Sequence, residues 1–164
     1  MVETIQDLKQ TKPVLIIEQK YCIYDKSGMF PFGQAAHSQQ LDKSRLNVHY
    51  CSVGAVGREL AESHYKACLF AGLNMRSFSA EPTVSEWKFE IGPCEALIAC
   101  DDLWIARFIL HRVAEDLGVT VRFELNDTML ITNVSSIYPM PSRIDSPCSI
   151  CFSTSEMNRT DGLV

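Results

Sequence analysis

The segment that most restricts how this chain can fold runs from Asp102 to Leu117. Leu103, Ala106, Leu110, Val113 and Leu117 recur at helical spacing, Asp102 stands at a capping position, and Gly118 follows as a stop. Ile105, Phe108 and Ile109 widen the apolar face, so the spacing predicts a well-buried helix. Such a helix gains its stability from packing against other elements, which the rest of the chain must supply.

Several segments meet that demand. Val14 to Tyr24 is rich in β-branched and aromatic residues and reads as a strand, closed by the turn residues Asp25-Lys26-Ser27-Gly28. Ser85 to Ile91 alternates: Trp87, Phe89 and Ile91 share one face, Lys88 and Glu90 the other, and Gly92-Pro93 is expected to end the strand. Gly57 to Gly72 predicts a second helix. Leu60, His64, Cys68 and Ala71 form its stripe, Ala61, Tyr65 and Leu69 lie beside it, Glu59, Glu62 and Lys66 fall near the opposite side, and Gly72 is a C-cap. Val119 to Phe123 reads as a short strand, and another begins within Cys151 to Thr154. Residues 1–12 form a polar segment with a short helix around Ile5 and Leu8, stopped by Pro13. Residues 30–48 and 124–147 read as loop.

Composition narrows the function classes. With 46% hydrophobic and 21% charged residues, the 164-residue chain is expected to be globular rather than disordered. Its net charge is −5 and its basic residues are scattered, which argues against nucleic-acid binding. No apolar stretch is long enough to span a membrane. The polar N-terminus lacks a signal-peptide pattern and the seven cysteines are an odd number, so reduced thiols and a cytoplasmic location are expected. On that basis the sequons at Asn126, Asn133 and Asn158 are chance matches. Cys148-Ser-Ile-Cys151 has CxxC spacing but no second ligand pair, so two ordinary thiols are expected there.

One long run is far more specific. Trp87-Lys88-Phe89-Glu90-Ile91-Gly92-Pro93-Cys94-Glu95 resembles the W-E-F-Q-I-G-P-C-E strand of eukaryotic-type glutamine synthetases. Leu103-Trp104-Ile105-Ala106-Arg107-Phe108-Ile109-Leu110-His111-Arg112-Val113 resembles the L-W-x-A-R-F-I-L-H-R-V helix that follows it in that family. Other pieces agree in order. Ile17-Glu18-Gln19-Lys20-Tyr21 is similar to M-E-Q-E-Y, Tyr50-Cys51-Ser52-Val53-Gly54-Ala55 to Y-C-G-V-G-A, and Phe152-Ser153-Thr154 to F-S-T. Gly57-Arg58-Glu59 and His64-Tyr65-Lys66-Ala67-Cys68-Leu69 are similar to another family helix. The resemblance covers about residues 13–164. It implies an α+β fold: part of the family's catalytic domain, an antiparallel-rich sheet with flanking helices. The family's N-terminal β-grasp domain and a long C-terminal portion have no counterpart in the sequence.

The resemblance also implies a chemistry. These enzymes join ammonia to glutamate at the expense of ATP, with magnesium or manganese bridging phosphates in a site lined by glutamates. Strand geometry aims residues i and i+2 at one face, which is why the family pattern holds E-x-E. Here the first carboxylate is Glu18 and the A-E carboxylate is Glu81, the two vestigial metal positions. The other ligand positions are Lys20, Lys88 and Ser149, and the glycine-rich substrate loop is replaced by Ile144-Asp145-Ser146-Pro147. A unit positive charge about 4 Å from a divalent ion opposes it by roughly 8 kcal/mol at an effective dielectric near 20. No cofactor is therefore expected. The two lysines either pair with Glu18, Glu81 or Glu90, or remain solvated and unpaired.

His64 and His111 are expected to pack or hydrogen-bond rather than ligate metal. Trp87 and Trp104 are expected in the core or an interface, and Cys94 has no base beside it to activate it. The leading expectation is a glutamine-synthetase-like protein without ligase activity, forming a homo-oligomer or associating with intact synthetase subunits, with no nucleic-acid or membrane partner. The alternatives are an ATP-dependent glutamate–ammonia ligase and a decayed fragment without a stable fold.

Overall fold

The computed structural model describes residues 13–28, 31–33, 55–81, 85–123, 147–154 and 157. The expected helix within residues 1–12, most of the expected loops, Cys51 and the three sequon asparagines lie outside the described residues. The elements in chain order are β1 (Val14–Tyr24), α1 (Arg58–Phe70), β2 (Met75–Ala80), β3 (Glu86–Glu95), α2 (Ala96–Asp116), β4 (Thr120–Arg122) and β5 (Cys148–Ser153).

The strands form one antiparallel sheet in the order β2-β3-β1, and the outer edge of β1 is shared by two partners. β4 pairs with Cys22 to Tyr24, and β5 pairs with Val14 to Gln19. The α+β class with helices flanking an antiparallel sheet is therefore as expected. One face of the sheet is apolar, carrying Ile17, Tyr21, Ile23, Trp87, Phe89 and Ile91, all at most 2% exposed. Leu60, Ala61 and Cys68 of α1 and Ala106, Leu110 and Ala114 of α2 close over it in a single cluster. The opposite face carries the charged positions of β1 and β3.

Several elements depart from the sequence expectation. Helix α2 starts at Ala96, six residues before the cap position predicted at Asp102. Asp102 sits inside it and accepts hydrogen bonds from the Asn74 backbone N–H at 3.0 Å and from Asn74 Nδ2 at 2.8 Å, tying α2 to the start of β2. A buried aspartate with an outside partner has no need of a helix terminus. Nor is α2 buried all round: Trp104 is 68% exposed, Phe108 66% and Ile105 47%, so Trp104 is not a core residue while Trp87 is.

Strand β3 does not stop at Gly92-Pro93. It continues to Glu95, with Leu15 opposite Cys94 but Ile17 opposite Ile91, so one extra residue is accommodated beside Gly92-Pro93. The Gly92–Pro93 bond is cis and Gly92 has φ of 100°. A Cβ at Gly92 would collide with the Leu15 carbonyl oxygen, so only glycine fits. Strand β2 was not predicted. Its pairing slips between Met75, opposite Ile91, and Ser77, opposite Glu90, so its alternation changes phase after one residue and leaves a weak period-two signal. Strand β5 begins at Cys148, three residues before the expected start.

Candidate functional site

The register of the sheet builds the polar face. Glu18 stands opposite Glu90 on β3 and Ser149 on β5, and Lys20 stands opposite Lys88. Glu81 follows β2, where its N–H bonds to the Glu86 carbonyl at 2.9 Å. All five positions singled out from the sequence, Glu18, Lys20, Glu81, Lys88 and Ser149, thus meet on one side of the sheet. On β1 and β3 this follows because the apolar phase is committed to the helices, so the alternate phase must face away.

Like charges directly opposite each other on neighbouring strands repel. The cluster relieves this along its diagonals. Lys88 Nζ donates to Glu18 Oε2 at 2.6 Å and lies 3.9 Å from Glu81 Oε1. Lys20 Nζ lies 3.4 Å from Glu81 Oε2. Arg76 on β2 covers Glu90, with Nε 3.7 Å from Oε2. The Ser149 hydroxyl reaches Glu18 Oε1 at 3.5 Å. The Lys20 and Lys88 side chains are 18% and 26% exposed, and those of Glu81 and Glu18 are 14% and 24% exposed. Of the two arrangements open to these lysines, pairing is therefore the one adopted. The hydrogen bond to Glu18 holds the Lys88 ammonium above its ordinary pKa, with partial burial pulling the other way.

A hard divalent cation needs six or more oxygen ligands in all. Here the two nearest carboxylates already contact ammonium groups, and no set of three or more His, Cys, Asp or Glu side chains converges on one point among the described residues. Among the described residues, this arrangement does not fit a divalent ion.

The apolar side of the sheet holds two polar devices. Gln19 shares its phase with Ile17 and Tyr21 and is fully buried. Its Nε2 donates to the carbonyls of Lys20 at 2.7 Å and Pro147 at 2.8 Å. Its Oε1 accepts from Arg107 Nε at 3.0 Å and also from Arg107 Nη2. Neither residue was singled out from the sequence. The signal was there: a glutamine in the apolar phase of a central strand must find partners. His64 is 1% exposed and faces Ala106 O at 3.0 Å, Cys68 Sγ at 3.2 Å and the Phe89 ring at 5.1 Å. The carbonyl requires an N–H, so Nε2 is the protonated nitrogen of a neutral ring. Burial pulls its pKa down to about 4, partly offset by the bond to Ala106. His64 is thus a structural histidine, as expected, and His111 packs edge-on against Phe123.

Four of the described cysteines are poor nucleophiles. Burial pushes Cys22 and Cys68 up to about 12 and raises Cys94 and Cys148. Cys148 lies opposite Gln19 and Cys151 opposite Ile16, an odd number of residues apart on one strand, so their side chains point to opposite faces. They cannot bridge or chelate together.

No protein-family profile matches the chain. Individual proteins do. The chain is 37% identical over 164 residues to a probable glutamine synthetase of Caenorhabditis elegans, in an alignment that takes in 98% of this chain and 41% of the worm protein. It is 36% identical to glutamine synthetase of Bos taurus, over 93% of this chain and 38% of the bovine protein. It is 37% identical to the Homo sapiens enzyme, over 90% of this chain and 36% of the human one. The chain spans about two fifths of the length of these curated relatives.

Proposed function

We propose that this chain, a homologue of the glutamine synthetases along nearly its whole sequence, is a glutamine-synthetase-like protein without ligase activity. The observation that carries the reading is the contact of Lys88 with both Glu18 and Glu81. A ligase of this chemistry needs carboxylates free to hold a cation against the phosphates of ATP. Here the two retained carboxylates are engaged by ammonium groups, and lysines and a serine stand at the other ligand positions that the resemblance implies. Glu18 and Glu81 are read as vestigial metal positions, within a domain of residues 13–164.

The role left to such a chain is association, with its own copies or with glutamine-synthetase-type subunits. The exposed Leu97, Trp104 and Phe108 along α2 support that reading. No helix among the described residues is long and apolar enough to cross a membrane; a cytoplasmic location is a separate part of the proposal, supported by the free thiols of the described cysteines.

The test is turnover. The purified chain, given glutamate, ammonia, ATP and magnesium or manganese, is expected to release no phosphate above the blank and to form no glutamine. Glutamine formation that a chelator abolishes would overturn the reading. Chromatography of the chain alone, and mixed with a purified glutamine synthetase, tests association; a monomer that ignores the synthetase contradicts that part.

A further inference from the structure

We infer that the ammonium groups of Lys20 and Lys88 do the structural work of a bound cation, holding the carboxylates of Glu18 and Glu81 together on the polar face of the sheet. The inference rests on the non-catalytic reading above, but is tested without reference to activity.

Four observations carry it. The charges balance locally, since Glu18 and Glu81 face Lys20 and Lys88 while Glu90 has Arg76. Lys88 also bridges: its one nitrogen lies within 4 Å of carboxylates from β1 and from the segment after β2, the connection a metal ion would make between them. The register, moreover, sets Lys20 directly against Lys88 and Glu18 directly against Glu90. Neither row is tolerable alone, and the interleaving of the two removes both conflicts. Finally, the side chains concerned are at most 26% exposed, so solvent screens them only in part. Two carboxylates this close, without a counter-charge, would resist joint ionisation. The lysines make the arrangement independent of metal supply.

The experiment is a set of thermal melts of the full chain in chelator and in millimolar manganese chloride. Wild type is expected to melt at the same temperature in both. Lys20→Met/Lys88→Met keeps the stems' bulk and removes both charges; in chelator it should melt lower by about 5 °C, on the usual relation between stability and melting temperature for a chain of this size. Adding Glu18→Gln/Glu81→Gln to that variant removes the uncompensated carboxylates and should recover most of the loss. The four-residue variant also guards against a double variant that fails to fold.

A double variant as stable as wild type in chelator overturns the inference. So does a four-residue variant no more stable than the double one, because the lysines would then act through packing alone. A manganese-dependent rise in the wild-type melting temperature overturns it as well. None of these readings measures turnover, so the inference and the non-catalytic reading fail separately.

Discussion

His64 makes the stability of this fold fall in mild acid. Its ring is 1% exposed, and the groups packed on it are the Ala106 carbonyl, the Cys68 thiol and the Phe89 ring, none of which is a carboxylate able to welcome a proton. Its pKa is therefore depressed to about 4 from the ordinary 6.5. The folded chain leaves this histidine neutral where the unfolded chain protonates it, so the unfolded state binds more protons between those two values. Stability from this residue is fully present above about pH 6.5 and is lost as pH falls toward 4. At about 1.36 kcal/mol per pKa unit, the loss is about 2 kcal/mol by pH 5 and about 3 kcal/mol by pH 4. Urea unfolding across that range measures it. Carboxylates and other histidines titrate in the same window, so the quantity to read is the difference between wild type and His64→Gln. Glutamine retains an N–H for Ala106 but does not titrate. The wild-type curve should fall about 2 kcal/mol further than the variant between pH 7.5 and pH 5. Parallel curves would refute the argument.

Three further outcomes are expected. Arg107→Met leaves Gln19 Oε1 buried without its donors and should cost about 1–3 kcal/mol, and Gln19→Leu in the same chain should return part of it; urea midpoints decide. Gly92→Ala forces a side chain onto the Leu15 carbonyl at a φ of 100°, and should lower stability by about 3 kcal/mol or more, read as a lower or lost cooperative melt. Mild oxidation followed by peptide mapping should recover no Cys148–Cys151 disulfide, since β5 aims the two thiols at opposite faces; finding that bridge in the folded protein would contradict the strand.

The parts of the fold legible in the sequence were those whose burial period is unbroken. The stripe Leu60, His64, Cys68 marks α1, and Trp87, Phe89, Ile91 marks the face of β3, because each sits in one continuous environment. Legibility failed where the period was interrupted or shared. Strand β2 changes phase after Met75, so six residues carry too little alternation to be seen. Gly92-Pro93 looked like a terminator because proline lacks a ladder N–H, yet the irregularity there lets β3 carry on. Asp102 looked like a cap because aspartate is common there; its partner, Asn74, is distant in sequence. The polar cluster was legible as a set of positions but not as a set of contacts. Choosing between paired and solvated lysines needed the register that puts Lys88 diagonal to Glu18.

That register also explains how a cluster of mixed charge and a packed core coexist in one sheet. In an antiparallel sheet with one buried face, alternate residues answer to different constraints. Trp87, Phe89 and Ile91 answer to the packing beneath α1 and α2, where a changed volume is felt at once. Lys88, one residue from Trp87, answers only to the local sum of charge on the far side. A carboxylate can become an ammonium there without disturbing the core, provided the neighbouring strands supply the opposite sign. Glu18 and Glu81 supply it for Lys88 and Lys20. The alternation that protects the core is thus the same feature that leaves the polar face free to change its charges. On this argument the apolar phase of β1 and β3 should tolerate far less change than the polar phase. Replacing Phe89 with alanine should cost about 3–5 kcal/mol, whereas exchanging the signs at Glu18 and Lys88 together should cost under about 1 kcal/mol. Urea unfolding of the two variants measures the contrast, and equal losses would show that the two faces are not independent.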